Sequence, residues 1–151
     1  MITSKKKDFG KSHCNCIVCG KNNPYSWKMK FVTNENGKTH TTFRGNDTFQ
    51  GYKGILHGGI ITTLLDATMT HCLFDQGVVA LTGDLRVRFL HPIPCNSIIN
   101  LQAQIITTKK ALYVVKAEAI CQKKVMAWAE AKFAKIAKKS NKKIRNGSTT
   151  K

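Results

Sequence analysis

A chain of 151 residues is long enough for one domain with a real core and too short for several. Its 42% apolar share is ordinary for a protein in water, and no run reaches the roughly 20 apolar residues of a membrane span. The net charge of +17 is concentrated at the ends: residues 1–12 carry four Lys and one Asp, residues 132–151 eight Lys or Arg and no acid, and residues 13–131 thirteen bases against seven acids. Such ends usually serve solubility or loose contact with polyanions. They lack interleaved aromatics and a recognition helix, so nucleic acid is not an expected partner. Residues 1–12 read as a disordered basic lead-in without a signal-peptide core, and residues 138–151 as a disordered basic tail; a cytoplasmic protein without membrane insertion is expected.

His13, Cys14, Cys16 and Cys19 crowd into seven residues. Cys-x-x-Cys before a glycine has the shape of half a zinc site, to which His13 or Cys14 could add a ligand. No second Cys or His pair follows at zinc-finger spacing, so the reading adopted is a reduced structural loop, with no metal and no cofactor. Cys72, Cys95 and Cys121 lie in apolar helix or strand context and read as reduced and buried.

Ser26 to Thr33 reads as a strand, with Trp27, Met29, Phe31 and Thr33 opposite Lys28 and Lys30. Asn34 to Gly37 is a hairpin turn, and Lys38 to Gly45 returns as a strand. Asn46 to Gly54 is a loop. From Ile60, apolar residues recur at helical spacing, and Ile60, Ile61, Leu64, Leu65, Met69, Cys72 and Leu73 cover one broad face. Gly77 closes this helix as a C-terminal cap.

Val78 to His91 forms a long strand, with Leu85, Val87 and Phe89 on one side and Arg86 and Arg88 on the other; Pro92 and Pro94 end it. Ser97 to Thr108 sets Ile99, Leu101, Ala103 and Ile105 against Asn100, Gln102 and Gln104, and Lys109-Lys110 turns the chain. Ala111 to Cys121 then sets Val115, Ala117, Ala119 and Cys121 against Lys116 and Glu118. Lys124 to Ile136 is ambiguous. Ala127, Ala129, Ala131 and Phe133 alternate as in a strand, yet the alanines favour a helix.

The helix start offers the main chemical signal. Gly58 and Gly59 allow close approach to backbone N–H groups that have no intrahelical partner and carry partial positive charge, a setting that stabilises an oxyanion. Asp66 is the one acid in an apolar stretch, Gly54 to Phe74, that holds no Lys or Arg. Such a carboxylate is either satisfied locally, as one more group on a polar side with Thr62, Thr63 and Thr70, or kept for chemistry.

His57-Gly58-Gly59, then an apolar helix with an acid nine positions after the His, resembles the hot-dog-fold thioesterases, in particular the phenylacetyl-CoA and 4-hydroxybenzoyl-CoA thioesterase group. The lead-in Phe49 to Leu56, the strand Gly83 to Pro94 and the segment Cys16 to Pro24 resemble pieces of one subgroup in the same order. The likeness covers roughly residues 13 to 136, although the subgroup's Asn-Pro-x-Gly-Leu is altered here to Asn23-Pro24-Tyr25-Ser26-Trp27.

This resemblance implies an α+β fold: a single hot-dog domain over residues 13–137, its long central helix wrapped by an antiparallel sheet of five to six strands. It makes Lys124 to Ile136 the last strand. It implies hydrolysis of a medium-chain or aryl acyl-CoA, with the Gly58 N–H on the thioester oxygen and Asp66 as general base or nucleophile. His57 orients the loop or the substrate. Gln50 stands one position from where some relatives carry an Asn or Gln, a place held here by Gly51. Gly59 joins the substrate-binding set, Thr82 aligns with a hydroxyl that assists water in some relatives, and Arg86 and Arg88 are candidates for coenzyme A phosphates.

Nine residues of helix span about 13 Å, so one chain's motif start and Asp66 do not meet at one carbonyl. A homodimer with shared sites answers that need, and dimers can pair further into tetramers. The alternative is a hot-dog protein that binds acyl-CoA without turning it over.

Overall fold

The helix expected at the centre runs from Gly58 to Asp75 in a computed structural model that describes residues 10–136. Around this helix, α2, six antiparallel strands form one sheet: β1 (Val32–Thr33), β2 (Thr39–Arg44), β3 (Ala80–Phe89), β4 (Ile98–Lys109), β5 (Leu112–Cys121) and β6 (Lys124–Lys135). Their order across the sheet is β1-β2-β4-β5-β6-β3, which leaves β3 at one edge. This is the hot-dog arrangement. A short helix, α1 (Gly10–His13), precedes it, so the expected disordered lead-in gives way at Gly10 to a helical turn. The expectations for residues 1–9 and for the tail from residue 138 lie outside the described residues.

The core follows from alternation. Ile99, Leu101 and Ala103 of β4, Val115, Ala117 and Ala119 of β5, and Ala127, Ala129, Ala131 and Phe133 of β6 are all buried. Ile61, Leu64, Leu65, Met69, Cys72 and Leu73 of α2 are buried in the same cluster. Small alanines on the sheet let the bulky helix face settle close. The helix buries Thr68 as well, its hydroxyl donating to the Leu64 carbonyl at 2.7 Å. The C-terminal end of α2 has the expected glycine cap. Gly77 adopts φ +76°, its N–H reaches Phe74 O at 2.9 Å, and Val78 N–H reaches Leu73 O at 3.0 Å.

Residues 124–135 are a strand despite their alanines, because pairing with β5 over ten registered positions outweighs a weak local preference. Ser26 to Phe31, by contrast, is not a strand. Trp27 and Met29 donate to Ile17 O and Val18 O in a loop, not to the sheet, and Lys28 turns with φ +53°. The expected facing survives, with Met29 buried and Lys28 and Lys30 exposed.

Candidate active site

The approach to α2 is tied down at several points. Gly51 N–H bonds to Ile55 O, Gly54 turns with φ +77°, Leu56 N–H bonds to Ile93 O, and His57 N–H bonds to Phe49 O. Phe49 packs with Trp27 and Phe43 at centroid distances of 5.1 and 5.3 Å. His57 caps the helix: its Nδ1 accepts from the Gly59 N–H at 2.8 Å, and its carbonyl accepts from Ile60 and Ile61. An accepting Nδ1 leaves the proton on Nε2.

The cap separates the two glycines chemically. The Gly59 N–H is consumed by His57, whereas the Gly58 N–H finds no acceptor among the described residues. Gly58 opens into a cleft of about 910 Å³ with Gln50, Tyr52, His57, Ile61 and Phe89 among its walls. The Gln50 side-chain Oε1 accepts from the Gly54 N–H at 3.2 Å, which ties this cleft-lining side chain to its own loop. A Cβ at position 51 would stand 3.2 Å from His57 Cδ2, so this loop has little room for the side chain that some relatives carry there.

Asp66 lies half-buried in the middle of α2. Its Oδ1 accepts from the Thr82 hydroxyl at 2.7 Å, and no other hydrogen bond or ion pair among the described residues engages its carboxylate. Thr82 sits on the edge strand β3 beside a bulge at Gly83, where the register against β6 shifts. The polar neighbours of Asp66 are otherwise self-contained, since Thr62, Thr63 and Thr70 donate to Gly58 O, Gly59 O and Asp66 O.

Thus the structure brings Asp66 to Thr82, and Gly58 to His57, Gly59 and Gln50. It does not bring these two groups together in one chain. Arg86 and Arg88 join neither. They face away from the helix, opposite Glu130 and Trp128 of β6, and the Arg86 guanidinium lies 5.4 Å from the Trp128 ring centroid.

A second cluster lies at the far end of α2. His71 stacks on Phe31 at 3.9 Å and 9°, with its Nε2 3.3 Å from Cys19 Sγ. Burial pushes His71 down to about 4, with the His13 ring adding to the fall and Asp75 opposing it. Burial pushes the Cys19 thiol up to about 12, helped by Cys16. Sequence reasoning saw His13, Cys16 and Cys19 and missed His71, which is 52 residues from Cys19 and carries no local signal. Cys72, Cys95 and Cys121 are buried, as expected.

A family model described as the thioesterase superfamily matches residues 53–133. Acyl-coenzyme A thioesterase THEM4 of Mus musculus is 34% identical over 101 residues, which is 66% of this chain and 44% of the mouse protein. The chain therefore spans less than half the length of the curated relatives it matches. The PaaI protein of the E. coli phenylacetic acid degradation operon superposes with a TM-score of 0.67 at 21% identity, over 72% of this chain and 80% of that one. The smu.793 protein of Streptococcus mutans UA159, bound to acetyl CoA, gives 0.68 at 22% identity, over 74% and 91%.

Proposed function

The chain belongs to the thioesterase superfamily, and from that premise we propose that it hydrolyses a medium-chain or aryl acyl-CoA to the free acid and coenzyme A. The observation that carries the reading is the Asp66 carboxylate, held through one oxygen by Thr82 and, among the described residues, unbonded at the other, in the family-matched part of the fold. Curated relatives of this region are named acyl-coenzyme A thioesterases.

The thioester oxygen accepts from the Gly58 N–H, where the helix dipole favours the charge that develops. Asp66 takes a proton from water as the water oxygen bonds to the carbonyl carbon. The tetrahedral oxyanion collapses, the C–S bond breaks, and the coenzyme A sulfur leaves with the proton that Asp66 took, which restores the carboxylate. Attack by Asp66 itself, with water opening the mixed anhydride, uses the same two groups. The cleft at Gly58 supplies apolar walls for an acyl or aryl group.

Eight residues separate Gly58 from Asp66, about 12 Å of helix rise. A single carbonyl therefore meets the Gly58 of one copy and the Asp66 of another. The unpaired edge of β3, which carries Thr82, is the natural seam for such a homodimer. Arg86 and Arg88 contact coenzyme A phosphates only if the ligand passes round this edge to the outer face.

Coenzyme A release from a panel of acyl- and aryl-CoA esters tests the proposal. Turnover by the wild type and a loss of two or more decades in Asp66→Asn, about 3 kcal/mol or more of transition-state stabilisation, are expected. Binding without turnover on every ester would favour a non-catalytic acyl-CoA-binding protein, a reading to which the absence of an amide side chain at Gly51 lends some weight.

A further inference from the structure

We propose that His13, Cys16, Cys19 and His71 form a structural zinc site that staples the segment before the first strand onto the C-terminal half of α2. Among the described residues, His13, Cys16 and Cys19 offer ligand atoms that all lie within 4.8 Å of one another. His13 Nδ1 is 3.6 Å from Cys19 Sγ, and His71 Nε2 is 3.3 Å from the same sulfur. Zinc bonds of about 2.0–2.3 Å in a tetrahedron put neighbouring ligand atoms about 3.3–3.8 Å apart. Both measured separations fall on such an edge. His71 lies outside that three-residue set, so its imidazole, which crosses the His13 ring at 81° with centroids 6.1 Å apart, shifts toward the other ligands as the ion binds.

The loop around the thiols has the build of a metal knuckle. The Val18 N–H donates to Cys16 Sγ at 3.3 Å, a bond that favours a thiolate. Gly20 N–H closes the turn on Cys16 O at 2.8 Å. A Cβ on Gly20 would stand 2.5 Å from both the Cys16 nitrogen and oxygen, so this tight return admits only glycine. Lys28 Nζ donates to the carbonyls of Gly20, Lys21 and Asn23 and fixes the loop from outside.

Aromatic rings hold both histidines beside the thiols. Phe31 stacks on His71, and Phe74 meets His13 edge-on at 4.7 Å and His71 at 5.3 Å. Two thiolates and two neutral imidazoles balance a divalent cation without a further charge. Four protein ligands leave no open position, so the ion's work is structural and not catalytic. It joins parts of the chain 52 residues apart, and it holds the half of α2 that follows Asp66.

Zinc and cobalt uptake by the reduced full-length chain tests this inference independently of any esterase activity. One Zn²⁺ per chain by elemental analysis is expected. The Co²⁺ form should show intense tetrahedral d–d bands with thiolate charge transfer. Zn²⁺ should protect Cys16 and Cys19 from alkylation at least about tenfold in the wild type, a readout that needs no variant to fold. His71→Gln should lose stoichiometric uptake, and Cys14→Ser should keep it. A reduced wild type that takes up neither metal overturns the proposal. Cobalt spectra unchanged in His71→Gln, or zinc lost in Cys14→Ser and kept in His71→Gln, overturn the assignment of His71.

Discussion

Replacing Thr82 by valine removes one hydroxyl and little else. Valine keeps the β-branched shape, and Thr82 is exposed on an edge strand, so the fold has no reason to suffer. What disappears is the 2.7 Å bond to Asp66 Oδ1, the one hydrogen bond to the carboxylate among the described residues. A hydrogen bond to a charged group is worth about 1.5–3 kcal/mol, and exposure favours the lower end. At about 1.4 kcal/mol per decade, kcat should fall about tenfold, and at most about a hundredfold. KM should change less, because Thr82 lies outside the cleft walls. Steady-state coenzyme A release gives both constants, and thermal unfolding checks the fold. In an Asp66→Asn background the same change should cost almost nothing further, since the two groups act as a unit. Wild-type kcat in Thr82→Val, or full additivity with Asp66→Asn, would refute the coupling.

His57→Asn should keep both the helix cap and the activity within a few-fold, because asparagine caps well, whereas His57→Ala should cost about 1 kcal/mol of stability in urea titration; a hundredfold loss of kcat in the asparagine variant would give the imidazole a chemical duty. Phe133→Ala, which empties the largest fully buried side chain against α2, should destabilise by about 3–5 kcal/mol by the same titration, with a loss under about 1 kcal/mol counting against the packing described.

Alternation and periodicity were enough to read the helix and most of the sheet. The β4 and β5 strands show apolar residues at every second position, and one helix with a broad apolar face is what such a sheet can cover. Local preference alone was a poor guide where long-range pairing decided the outcome; over residues 124–136 the family resemblance chose the strand that forms, and over residues 26–31 alternation suggested a strand that does not. Ala127, Ala129 and Ala131 would suit a helix, but their register with Ala119, Ala117 and Val115 makes them strand. Trp27 and Met29 alternate like strand residues but lie outside the sheet, because the Ile17 and Val18 carbonyls take their N–H groups.

The site was legible in the same uneven way. Gly58 and Asp66 stood out by residue type and position on one helix. That His57 consumes the Gly59 N–H and spares Gly58 is a matter of rotamer, which no spacing encodes. Thr82 aligned with one hydroxyl among many strand residues, and its bond to Asp66 joins positions 16 residues apart that no local pattern pairs. His71 carried no signal of its own, because Cys19, which it meets, lies 52 residues earlier.

Subunit mixing tests the two-chain site most directly. Gly58→Pro deletes the oxyanion N–H at the first helical position, where proline is well tolerated, and His57 already has the extended ψ of 133° that a following proline requires. Asp66→Asn removes the carboxylate. Each variant alone should be inactive. Mixed in equal amounts and allowed to exchange, half the dimers are hybrids with one intact site, so about a quarter of wild-type turnover should return. Complete exchange with no recovered turnover would mean that Gly58 and Asp66 do not act together across two chains.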